Sequence, residues 1–279
     1  MRRTPRIRRA RQQLAEPRTR PQVVAHRGSS HDTPEHTLAA YVKALDEGAE
    51  ALECDVRLTA DGHLVCVHDR NLKRTAANKG IVSTMNLAEL DELDFASWKD
   101  PWSELDDEAP TRDPVDGKVL KLRKLLETVA DYDRHVELAI ETKHPTRYGG
   151  LVERRLVETL GDFGWTGADS PARVMSFSLN AMNRVRRLAP DLQVVMLVDK
   201  AHHWPVLRPM VDDDWIIGPG VEELRDHPGL GRHLVKAGRE IHVWTVNTAE
   251  DLDICLDLGV SAVISDRPKY MLELLASAG

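Results

Sequence analysis

Residues 53–69 read ECDVRLTADGHLVCVHD, two apolar runs that meet at Asp61-Gly62. Asp-Gly between strand-like runs is a strong hairpin signal, because a tight two-residue loop needs the positive φ that Gly adopts freely. With Asp61 and Gly62 as the loop, Ala60 pairs with His63, and the register sets Asp55 opposite His68. Opposed residues of an antiparallel pair share a face, with Cβ atoms about 5 Å apart. Period-two alternation adds Glu53 to that face and turns Cys54 and Val56 to the other. The stretch therefore predicts two carboxylates and an imidazole on one side of an otherwise apolar strand. Buried like charges repel unless something compensates, and a hard divalent cation such as Mg²⁺ or Ca²⁺ does so through carboxylate oxygens.

Working outward, similar β-rich runs occur at 22–26, 50–56, 63–68, 135–143, 173–177, 192–198, 214–219, 240–246 and 261–266. Amphipathic segments separate most of them. TPEHTLAAYVKALDEG (33–48) sets Leu38, Tyr41, Val42 and Leu45 on one helical face, with Thr33 as N-cap, Pro34 at the first helical position and Gly48 as the stop. Leu122, Leu125, Leu126 and Val129 repeat the pattern, as do Leu252, Cys255 and Leu256 before Gly259. Strand alternating with helix means parallel βα units. Nine runs, of which two form one hairpin, leave eight principal strands, the number of a (β/α)₈ TIM-type barrel. An open doubly wound sheet is the competing architecture, but no Gly-rich dinucleotide fingerprint is present. Residues 70–118 break the alternation and are polar, so they read as an insertion or lid that contributes to substrate choice. The expected organisation is a basic, disordered leader over 1–21 and a single barrel domain over 22–279.

In a parallel barrel the C-terminal strand ends share one face. The first strand ends in His26-Arg27-Gly28, and VELAIETKHP (136–145) puts Glu141 and Lys143 on one face with Ala139 below them. Glu53, Asp55 and Glu141 then form a three-carboxylate set for a metal. His26 and His68 flank it as general acid and base, their order left open. Arg27 offers a planar fork matched to phosphate oxygens, and Lys143 is either a second phosphate contact or a local partner of Glu141.

Bulk properties narrow the function. The chain has 279 residues and a net charge of −7, but residues 1–21 hold eight Arg and one acid, so the rest carries −14. An acidic body argues against nucleic acid as partner. No apolar stretch approaches the ~20 residues of a membrane span. Cys54, Cys66 and Cys255 are too few and scattered for a disulfide framework, which points to a cytoplasmic setting.

These pieces together resemble the glycerophosphodiester phosphodiesterase family. The likeness is carried by AHRG, TPEHTLAAY, GAEALECDVRLTADGHLVCVHD, LKRT, LAIETK, MSFS, VWTVNT and GVSAVISDRP, spread over residues 24–268. It implies a (β/α)₈ barrel and metal-dependent hydrolysis of small-molecule glycerophosphodiesters to glycerol 3-phosphate and an alcohol. It also implies that His26 and His68 are the acid/base pair, that Glu53, Asp55 and Glu141 hold the metal, that Arg27 and Lys143 contact substrate, and that Trp244 lines the glycerol side. The chain departs from the family where PENT becomes PEHT, with His36 in place of Asn. Two other readings compete: a lipid-directed phospholipase of the same barrel type, with Trp98, Trp102 and Trp204 as an apolar rim, and a non-catalytic phosphate-binding barrel.

Overall fold

The computed structural model describes residues 20–99 and 117–277. Nine strands form one sheet: β1 (Gln22–His26), β2 (Ala51–Leu58), β3 (Leu64–Cys66), β4 (Glu137–Thr142), β5 (Ala172–Ser176), β6 (Gln193–Val198), β7 (Ile216–Pro219), β8 (His242–Val243) and β9 (Ala262–Ser265). Their order is β7-β6-β5-β4-β2-β1-β9-β8, all parallel, with β3 attached antiparallel to β2. Single parallel bridges, Ile217 to Ile241 and Gly220 to Trp244, join β7 to the β8 segment and close the eight-stranded barrel.

Period-two alternation sorts the side chains. Val24, Ala51, Ala139, Met175, Val195, Ile216, Ala262 and Ile264 fill the barrel interior, while Leu52, Cys54, Leu138, Ile140 and Val174 face the helices. Each of the Val, Leu, Ile and Met side chains among these, fully buried, contributes about 1.5–3 kcal/mol. Small Ala51 and Ala139 lie below the charged residues of β2 and β4.

Three local expectations are corrected. The helix after β1 is Leu38–Asp46, and its N-cap is Thr37, whose hydroxyl accepts from the Ala40 N–H, rather than Thr33. Thr33 instead donates to the Ser29 carbonyl, and His36 at φ +60° interrupts any helix starting at Pro34. Ala40 and Ala44, not Val42, join Tyr41 and Leu45 on the buried face; Leu256 is likewise solvent-facing. Gly28, at φ +85°, is required by this helix: a Cβ there would sit 2.6 Å from the Ala40 carbonyl carbon.

The hairpin is the second correction. Its pairs are Val56–Cys66, Arg57–Val65 and Leu58–Leu64, one residue off the expected register. Thr59 pairs with His63 around a three-residue loop, and Gly62 alone takes positive φ, +88°. Asp61 serves both the turn and a segment far along the chain: its carboxylate accepts from the Thr59 hydroxyl at 2.6 Å and from the Leu87 N–H at 3.1 Å. Asp55 therefore faces Val67, whose N–H donates to its carbonyl, and not His68.

The third concerns the insertion. Described residues 70–99 carry short helices, Lys73–Ala76 and Leu87–Asp91, and enclose a second apolar cluster of Val65, Val67, Leu72, Val82, Leu90, Phe95 and Val119. This part is a small satellite core rather than a polar excursion. The acidic stretch 100–116 and the basic residues 1–19 lie outside the described residues.

Candidate active site

Glu53 and Asp55 point inward from β2, and Glu141 points inward from β4, paired in register with Asp55. All three are buried, and one carboxylate oxygen of each lies within 4.8 Å of the others. Two cations serve them. Arg27 donates its backbone N–H to Glu53 Oε2 at 3.1 Å, and its Nε lies 3.0 Å from Asp55 Oδ2. Lys143 Nζ lies 2.8 Å from Glu141 Oε1 and 3.0 Å from Asp55 Oδ1.

The three carboxyls do not share this support equally. Burial acts to raise Asp55, yet Lys143, Arg27 and His36 outweigh it and hold the group well below the usual carboxylate range. Burial and the charge of Asp55 push Glu53 well above that range and Glu141 up to about 7. Three oxygen donors at this spacing, two of which resist ionising as they stand, fit a hard divalent cation: its charge would relieve the repulsion that raises them.

Both predicted imidazoles reach this cluster, each with Nδ1 held by a carboxylate. His26, at the end of β1, lies 2.6 Å from Asp266 Oδ1, with Nε2 4.0 Å from Glu53. Asp266 accepts further bonds from Asn247 and Ser30. His68 arrives by leaving β3 rather than by pairing across it. Its carbonyl accepts from Arg57 Nε and Nη2, and its Nδ1 lies 2.7 Å from Asp69. Burial, with Arg27 and Lys143 nearby, pushes the His68 imidazole down to about 4 against the pull of Asp55 and Asp69.

Behind His68 runs a chain of ion pairs. Arg74 Nε donates to Asp69 at 2.8 Å, and its two terminal nitrogens grip Glu35 at 2.7 Å each. Glu35 also accepts from Arg27 and is held down at about 2, because Arg74 and Arg27 outweigh its burial. Trp98 lies under the Arg74 guanidinium, 5.4 Å from it.

The other predicted residues are placed as follows. Trp244 donates from its indole to the Gly218 carbonyl and meets Phe177 edge-on, with ring centres 5.5 Å apart. His36 is buried between Tyr41 Oη at 2.8 Å and Asp55 Oδ2 at 2.9 Å. His144 pairs with Glu153 instead. Trp204 is buried, so the apolar rim expected from it does not form, and Trp102 lies outside the described residues.

Sequence reasoning missed Asp69, Asp266, Asn247, Arg74 and Glu35. A usable signal existed for the first two: Asp69 follows His68 directly, and Asp266 directly follows β9, at the same mouth as His26. Arg74 and Glu35 fall within the quoted LKRT and TPEHTLAAY stretches, but they are 39 residues apart and nothing along the chain pairs them.

Comparison with known proteins identifies the family. The family model "Glycerophosphoryl diester phosphodiesterase family" matches residues 26–270. The chain is 44% identical over 252 residues, 89% of its length and 90% of the relative's, to a probable glycerophosphodiester phosphodiesterase 1 of Mycobacterium tuberculosis. It is 30% identical to the glycerophosphodiester phosphodiesterase of Bacillus subtilis, covering 88% of this chain and 83% of that one. Among solved structures, an Oleispira antarctica phosphodiesterase in complex with sn-glycerol-3-phosphate superposes with TM-score 0.76 at 26% identity, over 92% of this chain and 97% of that one. With a family match that spans the barrel from His26 onward, and with both imidazoles and all three carboxylates gathered at one mouth, this chain belongs to the glycerophosphoryl diester phosphodiesterase family, and it is a hydrolase of phosphoric diesters.

Proposed function

We propose that the chain hydrolyses glycerophosphodiesters to glycerol 3-phosphate and an alcohol, with His68 as general base and His26 as general acid. The observation that carries this is the pair of imidazoles, each with Nδ1 fixed by a carboxylate, on either side of one buried carboxylate cluster. Fixing Nδ1 leaves Nε2 of each ring as the working atom. His68 is kept neutral near pH 7, so its Nε2 lone pair takes the proton of the attacking hydroxyl, from water or from the glycerol 2-position. His26, between Asp266 and Glu53, gives its proton to the departing alkoxide.

Glu53, Asp55 and Glu141 would hold one divalent cation, Mg²⁺ or Ca²⁺, which when bound supplies positive charge to the phosphoryl oxygens. Arg27 and Lys143 extend that field at the phosphate. Trp244 and Phe177 wall the glycerol side. Residues 22–279 act as one domain, with the insertion shaping leaving-group access. Three buried, unpaired cysteines support a reducing, cytoplasmic setting. Among the described residues no helix is long and apolar enough to cross a membrane.

The division of labour is tested by leaving group. His26→Ala should fail on glycerophosphocholine yet recover on a p-nitrophenyl diester, whose phenolate leaves without a proton. His68→Ala should fail on both. Equal losses for the two variants on every substrate would overturn the assignment.

A further inference from the structure

A second cleft adjoins the catalytic mouth. The His68 side of that mouth, a pocket of 260 Å³, is lined by His68, Asp69, Glu141, His144 and Phe177, together with Arg57, Arg70 and Lys143. Those last three also line a neighbouring cleft of 420 Å³, which adds Arg147, Ser83 and Thr84. Among the described residues, the wall of this cleft therefore holds four cationic side chains and neither a carboxylate nor an aromatic ring.

Among the described residues three of these cations lack an ion pair with a carboxylate. Arg57 spends two donors on the His68 carbonyl, a neutral acceptor. Arg147 packs on the Tyr148 ring, 5.5 Å away. Arg70 and Arg147 form no ion pair among the described residues, whereas Arg27, Arg74 and Arg173 are each paired with a carboxylate. On a chain of net charge −7, two guanidinium groups without an ion pair among the described residues, Arg70 and Arg147, flank one cleft beside Arg57, which already feels Asp55, Asp69 and Glu141; an anion would complete this arrangement. A guanidinium fork suits phosphate oxygens, and the Ser83 and Thr84 hydroxyls add donors of the same kind. A quaternary ammonium group would instead be met by aromatic faces, and this wall has none.

Resting on the hydrolytic reading above, we propose that this cleft binds a second phosphate of the substrate and so selects diesters that carry one besides the scissile group. The substrate would then have two phosphoryl groups, the scissile one at the carboxylate cluster and the second among Arg57, Arg70 and Arg147.

The test compares kcat/KM on three diesters: glycerophosphoglycerol phosphate, neutral-headed glycerophosphoglycerol and glycerophosphocholine. The native enzyme should favour them in that order. Each guanidinium–phosphate contact is worth about tenfold. Arg70→Gln/Arg147→Gln should therefore reduce the ratio of the first to the third by about 10–100-fold, mainly through KM. Arg147→Glu should push the preference toward choline. A native enzyme that turns over all three equally, or prefers choline, overturns the proposal. So does a double variant that loses the same factor on every substrate. Failure of the native enzyme to cleave any of the three would instead strike the hydrolytic reading, so the two failures are distinct.

Discussion

The two ends of the barrel both bury charge, and they do so differently. At the N-terminal end, Arg173 on β5 lies between Glu137 at 2.6 Å and Gln22 at 2.9 Å, from the first positions of β4 and β1. Beside it, His242 is pushed down by burial and by the Arg173 charge, and so stays neutral. This floor is compensated within itself. At the C-terminal end, Arg27 and Lys143 serve three carboxylates, Glu53, Asp55 and Glu141, and two of the three carboxyls are driven upward. The same barrel thus shows what compensated burial looks like, and the mouth stands out as the end arranged for something else to bind. The fold's general division assigns stability to the first of these ends and reactivity to the second.

That contrast can be broken most severely at His68. His68→Ala should lower kcat by roughly 10²–10⁴-fold on natural diesters, with an unchanged melting temperature. A large loss of stability would mean that the mouth also holds the fold together. Arg173→Met is the converse experiment. Removing one partner of a buried pair costs about 3–5 kcal/mol, so denaturant unfolding should shift to much lower concentration while kcat/KM of the folded fraction stays put. A variant as stable as the parent would show that the floor is not a stabilising pair.

Smaller effects sharpen the picture. Arg74 touches no atom of the carboxylate cluster, yet it aligns Asp69 behind His68. Arg74→Met should lower kcat by about tenfold, the usual scale for a residue that orients a working group, while Arg74→Lys should restore part of it. An effect confined to melting temperature would reduce Arg74 to a structural strut. Finally, Glu141, raised to about 7, is protonated below that pH and ionised above it. Its proton, like that of Glu53, competes with a cation, so calorimetric affinity for Ca²⁺ should fall as pH drops, Glu141 alone contributing up to about tenfold per pH unit below 7. A flat profile from pH 5.5 to 8 would place the cation away from Glu141.

How much of this was legible in the sequence depended on whether the signal was local. Alternation alone sorted Glu53 and Asp55 from Cys54 and Val56, and Glu141 from Ile140, because a strand's period is fixed by its backbone. The strand count, and hence the barrel, followed from the same property. The hairpin register did not, because Asp61 answers to the Leu87 amide as well as to its own turn. The helix start failed for a related reason: TPEHT offers two threonines, and the choice between them is made by His36, held in a left-handed conformation between Tyr41 and Asp55. The ion-pair chain through Glu35, Arg74 and Asp69 joins segments whose nearness exists only in the folded barrel.

The satellite cluster around Leu72, Val82 and Leu90 has a consequence for how activity is lost. Seven buried apolar side chains form a cooperative unit far smaller than the barrel, and small units open at lower free energy than the whole. The amides of Leu72 and Val82 are bonded within this unit, to Gly80 and Arg70, so their exchange with solvent deuterium reports its opening. Arg74 rides on it, and every opening releases Asp69. On gentle warming, catalysis should therefore fade while far-ultraviolet circular dichroism still registers an intact barrel, so that the enzyme's working temperature is set by its smallest core.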